Sequence, residues 1–231
     1  MNSPLTRCPI CGNKDLVSKN VLWPNLIKEW ELSERETQYI NRQQGFHCAK
    51  CLNNFRSMAL AFAILDLYNE RDKLFKTFCD NSPGLSVLEI NRAGNLTSFL
   101  QRLPNHQLIE YPKHDMQRLD IDSGKFDVVI HSDTLEHVPN PVLGLKECKR
   151  VLKPGGACIF TVPIIVDRLS RRRDNLCPSY HGSSERSDSD QLVYTEFGAD
   201  FWKVVLEAGF HHCDLIALEY PSAMAIVAIN K

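Results

Sequence analysis

The sequence predicts an α/β protein built on a mostly parallel sheet, with a small cysteine-rich segment ahead of it. From Leu85 onward, apolar strands alternate with amphipathic helices, a pattern typical of a parallel sheet covered by helices on both faces. The last two strands are separated only by Pro221 and Ser222, so they form a hairpin in which one strand runs antiparallel. Residues 1–53 instead carry two CxxC pairs and slim apolar content, which indicates a different kind of structure.

The composition narrows the classes of protein to which this chain can belong. It has 231 residues, which suits one large α/β domain or a smaller domain with an appendage. With 27 basic and 28 acidic residues, the surface gives no electrostatic reason to expect nucleic acid or a membrane as a partner. The longest apolar run, residues 58–65, is too short to span a bilayer. Because no signal peptide is visible and nine cysteines fit a disulfide framework poorly, we expect a cytoplasmic protein.

Two cysteine pairs define the N-terminal segment. The ligand candidates are Cys8, Cys11, Cys48 and Cys51. A thiolate pair with two intervening residues can cover one face of a tetrahedral Zn²⁺, and two such pairs complete its coordination. Gly12 suits the tight knuckle turn, where the backbone φ can be positive. We therefore predict a structural zinc site, with a redox dithiol or chance spacing as the alternatives.

A helix and a joint are predicted between the cysteine pairs and the α/β region. The helix covers residues 33–43, capped by Ser33 with Glu36 three residues later. Residues 54–84 form the joint, in which residues 54–78 are predicted to be one long helix that ends at the turn sequence "DNSPG". Since the segment between the pairs has little apolar sequence, the metal is expected to hold it together.

Residues 85–231 contain the predicted α/β domain. The strand candidates are "LSVLEI", "HQLIEY", "FDVVIHS", "ACIFTVP", "HHCDLIALEY" and "SAMAIVAIN". The helix candidates are "LTSFLQRL", "PVLGLKECKRVL" and "TEFGADFWKVVLEAGF". The first strand ends in Glu89 and the second in Glu110, and "HDM" follows. Next come "FDVVIHSDTLEHV" and, after a helix, "RVLKPGG".

This order of motifs resembles that of class I S-adenosylmethionine-dependent methyltransferases. The segment from "FDVVIHSDTLEHV" to "RVLKPGG" is the most specific part of the resemblance, which covers residues 85–231. The resemblance implies a Rossmann-like, doubly wound seven-stranded sheet that ends in an antiparallel hairpin. In such a sheet the ligand binds outside the carboxyl ends of the strands. A subset of these enzymes joins a cysteine-knuckle segment to such a domain and tolerates a glycine-poor first motif.

The resemblance also implies which residues bind S-adenosylmethionine. Glu110 would accept hydrogen bonds from the ribose hydroxyls, Asp115 would bind the adenine amine, and Met116 would pack on the adenine ring. Glu89 would fix the first loop and, indirectly, the methionine amino group. The complete set of implied cofactor-binding residues is Glu89, Asn91, Ala93, Gly94, Glu110, Tyr111, Asp115, Met116, His131 and Ser132.

The first loop departs from the family's pattern of acid-x-Gly-x-Gly-x-Gly. The corresponding residues are Glu89, Asn91, Ala93 and Asn95, with Gly94 as the one glycine. Asn tolerates a positive φ and Ala is small, so the loop can still be built with less room. S-adenosylmethionine has no pyrophosphate to cradle, whereas a dinucleotide-binding dehydrogenase would need G-x-G-x-x-G at this place.

Methyl transfer requires a base only when the acceptor atom carries a proton that it does not lose alone. The candidates are His131, Asp133, His137 and His181. His131 has the alternative of being a wall of the cofactor pocket. Asp133 can instead cap a short helix at residues 134–137.

The other two candidates also have structural alternatives. His137 can support its loop with Glu136 as a partner. His181 lies in a polar loop, residues 167–191, that follows a strand and is either an active-site lid or a surface linker.

We therefore predict a methyltransferase that moves a methyl group from S-adenosylmethionine to an oxygen or nitrogen of a small-molecule acceptor, with a sugar-linked acceptor as one option. The predicted organisation is a zinc-knuckle segment over residues 1–53, a joint over 54–84 and the methyltransferase domain over 85–231. The knuckle segment is expected to cover the acceptor side or to mediate a homodimer. Two other classes stay open: a non-catalytic S-adenosylmethionine-binding or scaffold protein, and a zinc-ribbon nucleic-acid-binding module.

Overall fold

The N-terminal segment folds around its two cysteine pairs. The computed structural model describes residues 5–82, 84–180 and 191–231. The first elements are β1 (Leu16–Val17), α1 (Pro24–Glu29), α2 (Glu34–Gly45) and β2 (His47–Cys48). The predicted capping box of α2 is confirmed, because the Ser33 hydroxyl accepts from the Glu36 amide and the Glu36 carboxylate accepts from the Ser33 amide.

The single helix predicted for residues 54–78 is wrong, because two helices lie there. They are α3 (Phe55–Leu67) and α4 (Phe75–Asp80). Asn69 follows α3 with a φ of 56°, a conformation that cannot continue a helix. The first two amides of α4 then donate to the carbonyls of Pro9 and Ile10 at 2.9 and 3.1 Å. These knuckle carbonyls satisfy amides that the first turn of a helix leaves unpaired, so the chain starts a new helix there.

The rest of the described chain forms a central sheet, a smaller sheet and the helices that cover them. In chain order the elements are β3 (Ser86–Ile90), α5 (Thr97–Leu100), β4 (Asn105–Ile109), β5 (Phe126–Ser132), α6 (Pro141–Val151), β6 (Leu152–Thr161), β7 (Ile164–Ile165), β8 (Arg171–Arg172), β9 (Thr195–Gly198), α7 (Trp202–Glu207), β10 (Cys213–Glu219) and β11 (Ala223–Ile229). The central sheet has the order β10-β11-β6-β5-β3-β4, with β3 to β6 parallel and β11 antiparallel to both neighbours. The predicted parallel sheet with a C-terminal hairpin is confirmed.

Helices cover both faces of the central sheet, as predicted. One core packs α3 against sheet residues such as Val87 and Ala225, and it includes the knuckle residues Cys8 and Cys48. The opposite core packs α6 and α7 against residues such as Leu88. Neighbouring residues of one strand enter opposite cores because side chains alternate across a sheet. None of the described helices combines the length and the hydropathy that a bilayer-spanning helix requires.

The helix predicted to start at Thr195 is wrong over its first turn, which is the strand β9. This strand pairs with β7 and β8 in a separate sheet. The central sheet has six described strands, one fewer than the resemblance implies. The Gly198 amide donates to the Ser170 hydroxyl at 2.8 Å, and the Ala199 amide donates to the Arg168 carbonyl at 2.7 Å. A Cβ at Gly198 would lie 2.3 Å from that carbonyl oxygen, so only glycine allows this close approach. Because these amides bond across the chain, α7 starts later.

Candidate active site and metal centre

A cavity of about 370 Å³ opens at the carboxyl ends of β3, β4 and β5. Because β3 lies between β4 and β5, the strand order reverses here, and open α/β sheets bind ligands at such a switch point. The implied cofactor-binding residues that line the cavity are Asn91, Glu110, Tyr111, Asp115, Met116 and Ser132. Arg92, His114 and Gln117 also line it, and no role was assigned to them from the sequence, because they only neighbour the residues that the resemblance points to.

The first loop takes up the backbone shape for which glycine is usually needed. Asn91 has a φ of 55° and Gly94 a φ of 60°, both in the left-handed region. The Asn91 amide donates to the Ile109 carbonyl at 2.8 Å, and the Asn91 side-chain oxygen accepts from the Tyr111 amide at 2.9 Å. Asn91 therefore adopts a positive φ as predicted. Its side chain also ties the loop to the end of β4, which a glycine could not do.

Glu89 fixes this loop from behind. Its carboxylate is buried and accepts from the Ala93 amide at 2.8 Å and from the Thr97 hydroxyl at 2.5 Å. Its second oxygen contacts the His106 Nε2 at 2.8 Å. Glu89 and Ala93 are absent from the described lining of the cavity, and Gly94 lines the neighbouring one. These residues therefore shape the loop, while Asn91 and Arg92 face the cavity.

Acidic and apolar side chains lie along the other side of the cavity. Glu110 pairs with Arg92 at 3.1 Å, and about half of each side chain is exposed. The Asp115 carboxylate accepts from the Gln117 amide at 2.8 Å, and Met116 beside it is buried. A wall with two carboxylates and one apolar thioether suits a ligand that presents hydroxyls, an amine and a flat ring.

His131 does not reach the cavity, which corrects its prediction as a base and as a cofactor contact. Its ring is fully buried and stacks on Phe160, with ring centroids 4.6 Å apart. Because side chains alternate along β5, His131 points into the core under α6, while the next residue, Ser132, lines the cavity. Neither ring nitrogen has a hydrogen-bond partner among the described residues. Burial lowers the pKa of His131 to about 3, so the ring is neutral at physiological pH.

A second cavity, of about 490 Å³, adjoins the first. The residues that line both cavities are Arg92, Ser132, Asp133, His137 and Gln191. The opposite wall comes from the N-terminal segment and includes Trp23, Trp30 and Gln44. The two spaces therefore meet beside the residues that follow β5, with the N-terminal segment closing the far side of the second.

Asp133 holds this junction together. It has a φ of 44°, and its carboxylate pairs with Arg56 and accepts from the Gln44 side chain at 2.8 Å. Its other oxygen accepts from the Thr161 hydroxyl at 3.2 Å. The alternative that Asp133 caps the following turn is wrong, because Thr134 occupies the cap position and Asp133 turns back to α2 and α3.

His137 and Glu136 lie next to this ion pair. The His137 Nδ1 is 3.0 Å from the Leu192 carbonyl oxygen, and its Nε2 is 3.7 Å from a Glu136 oxygen. A carbonyl only accepts, so Nδ1 carries the proton of the neutral ring and Nε2 carries the lone pair. Burial raises the pKa of the Glu136 carboxyl well above its usual range, and the Asp133 charge adds to this shift. His181 lies outside the described residues.

The four predicted metal ligands lie together. Their sulfur atoms are all within 4.8 Å of one another, with 3.7 Å between those of Cys8 and Cys51 and 3.6 Å between those of Cys11 and Cys48. Four sulfurs at about 2.3 Å from a tetrahedral Zn²⁺ lie about 3.8 Å apart, so the spacing fits this ion. Side-chain amides of Asn13 and Asn53 lie 3.7 and 3.5 Å from two of the sulfurs, as partners that orient ligands commonly do.

The two cysteine knuckles share one backbone shape. Gly12, after the second cysteine of the first pair, has a φ of 82°, which confirms the expected positive value. Leu52 holds the equivalent place after the second pair, with a φ of 58°. The Leu52 carbonyl accepts from the Asn95 side-chain amide at 3.0 Å, so the second knuckle contacts the loop that borders both cavities.

The strand order, the terminal hairpin and the cavity at the switch point define an open α/β domain of the kind that binds a nucleoside-like cofactor. Residues 75–160 match the sequence model of a family described as a methyltransferase domain. Over these residues, a little more than a third of the chain, the protein is similar to methyltransferase domains. The match begins inside the predicted joint, and the domain boundaries stay predictions.

Proteins similar to this chain include ubiquinone biosynthesis O-methyltransferases. The protein from Psychrobacter arcticus is 30% identical over 103 residues, which are 42% of this chain and 38% of that protein. The one from Alkalilimnicola ehrlichii is 32% identical over 123 residues, 53% of this chain and 48% of that protein. This chain thus spans less than half the length of these relatives.

Solved structures similar to this chain include two whose descriptions name a methyltransferase or a CMeT domain. A protein from Methanosarcina mazei described as an S-adenosylmethionine-dependent methyltransferase is 12% identical, with a TM-score of 0.39 over 66% of this chain and 94% of that one. The CMeT domain of the citrinin polyketide synthase is 11% identical, with a TM-score of 0.44 over 90% of this chain and 68% of that one.

Proposed function

We propose that this protein transfers a methyl group from S-adenosylmethionine to an oxygen or nitrogen of a small-molecule acceptor. The observation that carries the proposal is the pair of adjoining cavities, one at the switch point and one beside it, with Ser132, Asp133 and His137 in the wall of both. Two reactants that occupy adjoining cavities with shared lining residues are held close together in a defined orientation. The curated relatives are named O-methyltransferases, which favours oxygen as the accepting atom.

The first cavity holds the cofactor in this proposal. When bound, S-adenosylmethionine supplies a methyl group whose bond to the sulfonium breaks as the bond to the acceptor forms. Glu110 receives the ribose hydroxyls, Asp115 receives the adenine amine, and Met116 covers the ring. These roles are supported by the places of the three side chains in the cavity lining.

His137 is the residue proposed to take the proton of the acceptor. Its Nε2 carries the lone pair, because Nδ1 faces the Leu192 carbonyl at 3.0 Å. Asp133 is less suited to this role, since its carboxylate already receives Arg56, Gln44 and Thr161. A hydroxyl acceptor therefore loses its proton to an imidazole that lines both cavities.

The cysteine centre is proposed to bind one structural Zn²⁺. The sulfur spacing fits a tetrahedral site, and four thiolates leave no open position for a substrate. The N-terminal segment held by this metal covers the acceptor side, as its residues in the wall of the second cavity support.

Replacing Glu110 with alanine is expected to weaken the binding of S-adenosylmethionine about 30-fold, the effect of losing about 2 kcal/mol of hydrogen bonding to a charged group. Isothermal titration calorimetry of the full chain measures this. Asp122→Ala is the matched control, because Asp122 is an exposed acid outside the described lining of either cavity. If the wild type shows no binding at millimolar S-adenosylmethionine, the proposed function is wrong and a scaffold role is favoured.

Salt-dependent retention of the protein on heparin would instead support the nucleic-acid-binding alternative.

A further inference from the structure

The second cavity is apolar over most of its wall and polar at one end. Its apolar wall includes Trp23, Leu26, Trp30, Leu32, Ile40 and Ile165. Its polar end, where it meets the cofactor cavity, includes Asp133, Glu136 and His137. Such a lining matches a ligand with an apolar body and one polar group, and the polar group points at the place where the methyl group must arrive.

Glu136 is a buried carboxyl of this cavity that forms no hydrogen bond with the described part of the chain. It is 1% exposed, and neither carboxyl oxygen has a hydrogen-bond partner among the described residues. The His137 Nε2 lies 3.7 Å from one Glu136 oxygen, and an Arg56 guanidinium nitrogen pairs with Asp133 instead of Glu136. A buried carboxyl without a partner destabilises the fold, so a ligand that supplies the partner recovers this free energy on binding.

We propose that the second cavity binds a planar, apolar acceptor carrying a hydroxyl group, and that Glu136 forms a hydrogen bond with that hydroxyl. The assignment of the cavity to the acceptor rests on the proposed function. Each Glu136 oxygen exposes less than 1 Å², so the proposed contact requires the side chain to rotate about its own torsions toward the cavity. A neutral carboxyl suits this task, because it can both donate to and accept from a hydroxyl.

The lining disfavours a sugar as the body of the acceptor. A sugar presents hydroxyls around its whole ring, and the tryptophan and aliphatic wall offers few partners for them. The indole nitrogen of Trp30 donates to the Ser179 hydroxyl at 2.8 Å, so this polar atom already has a partner within the protein. In a flat ring with one hydroxyl, the ring can pack on the apolar wall while the hydroxyl contacts the polar end of the cavity.

The test uses tryptophan fluorescence of the full chain in the presence of S-adenosylhomocysteine. Of three tryptophans, Trp23 and Trp30 line the cavity, and Trp202→Phe removes the emission of the third, on α7. The probes are methyl 4-hydroxybenzoate, methyl 4-methoxybenzoate and methyl α-glucopyranoside. We expect the hydroxy probe to quench the emission with about tenfold higher affinity than the methoxy probe. The glucoside is expected to cause no quenching.

Glu136→Leu is expected to abolish the tenfold preference while the methoxy probe binds as before. The same variant is expected to melt at a higher temperature than the wild type, since it removes a buried unpartnered carboxyl. If Glu136 only stabilised the fold, its replacement would lower the melting temperature. Glu136→Met serves the same comparison if the leucine variant does not fold.

Equal binding of the two aromatic probes by the wild type, or an unchanged preference in both variants, would overturn the proposal. Preferential binding of the glucoside would do the same. These outcomes are distinct from a failure of the proposed function. A protein that keeps the Glu136-dependent preference but does not bind S-adenosylmethionine would reject methyl transfer and leave the aromatic site in place.

Discussion

If the cysteine cluster binds zinc as proposed, replacing Cys48 with serine is expected to release it and to lower the free energy of unfolding by at least about 4 kcal/mol. This is a fraction of the roughly 10–16 kcal/mol that structural zinc contributes in small zinc-binding peptides. The effect is large because Cys48 is fully buried and belongs to the same core as the sheet residue Val87. Loss of the metal therefore exposes the domain core as well as the knuckles.

Elemental analysis and thermal melts with and without a chelator measure this effect. The expected result is about one zinc per wild-type chain, none in the variant, and a melting temperature lower by about 12 °C or more. Cys177→Ser is the matched control, because Cys177 is exposed and lies outside the cluster. A wild type that is fully folded and free of metal would contradict the zinc proposal.

Replacing His131 with leucine is expected to remove a large part of the acid sensitivity of the fold. The pKa of His131 is lowered from 6.5 to about 3 by burial, so the folded state favours the neutral ring. The neutral, buried His131 ring therefore contributes its full stability above pH 6.5. This contribution is lost as the pH falls toward the pKa of His131 in the folded protein. Each pH unit in this window costs about 1.4 kcal/mol, so the wild type loses roughly 3 kcal/mol more than the variant between about pH 7 and pH 4.5.

Urea unfolding at these two pH values, followed by circular dichroism, measures the difference. His212→Leu is the control, since His212 is a partly exposed histidine outside the core that holds His131. An identical loss of stability in the wild type and in His131→Leu would mean that His131 does not stay neutral in the folded protein. The expected outcome also separates His131 from catalysis, because the variant should still bind S-adenosylmethionine.

Local signals in the sequence predicted much of the fold. The capping box at Ser33 and Glu36, the positive φ of Gly12 and the C-terminal hairpin depend on neighbours along the chain, and the structure confirms them. The hairpin turn is one residue longer than predicted, because Tyr220 also lies between β10 and β11. The four cysteines also come together as predicted, since the spacing within each pair already fixes half of the cluster. The resemblance also pointed to residues of the first cavity. It did so because the ends of parallel strands meet at one edge of the sheet.

The failures have tertiary causes. The break between α3 and α4 depends on carbonyls of Pro9 and Ile10 that are distant in sequence, and the strand at Thr195 depends on pairing with β7 and β8. The orientation of His131 follows from which face of β5 is covered by α6, which the alternation in the sequence does not reveal. The sequence indicated Glu136 only as a partner of His137, since the burial of its carboxyl is known only from the structure.

The hydrogen bond from Asn95 to the Leu52 carbonyl has a thermodynamic consequence. It joins the knuckle that follows Cys51 to the loop bordering both cavities, so order at one end constrains the other. Linkage makes such coupling reciprocal: if a metal in the cysteine cluster tightens cofactor binding by some factor, the cofactor tightens metal binding by the same factor. The amount of zinc that the protein retains when zinc is limiting would then increase with the fraction of protein that holds cofactor. This measurement requires no methyl acceptor.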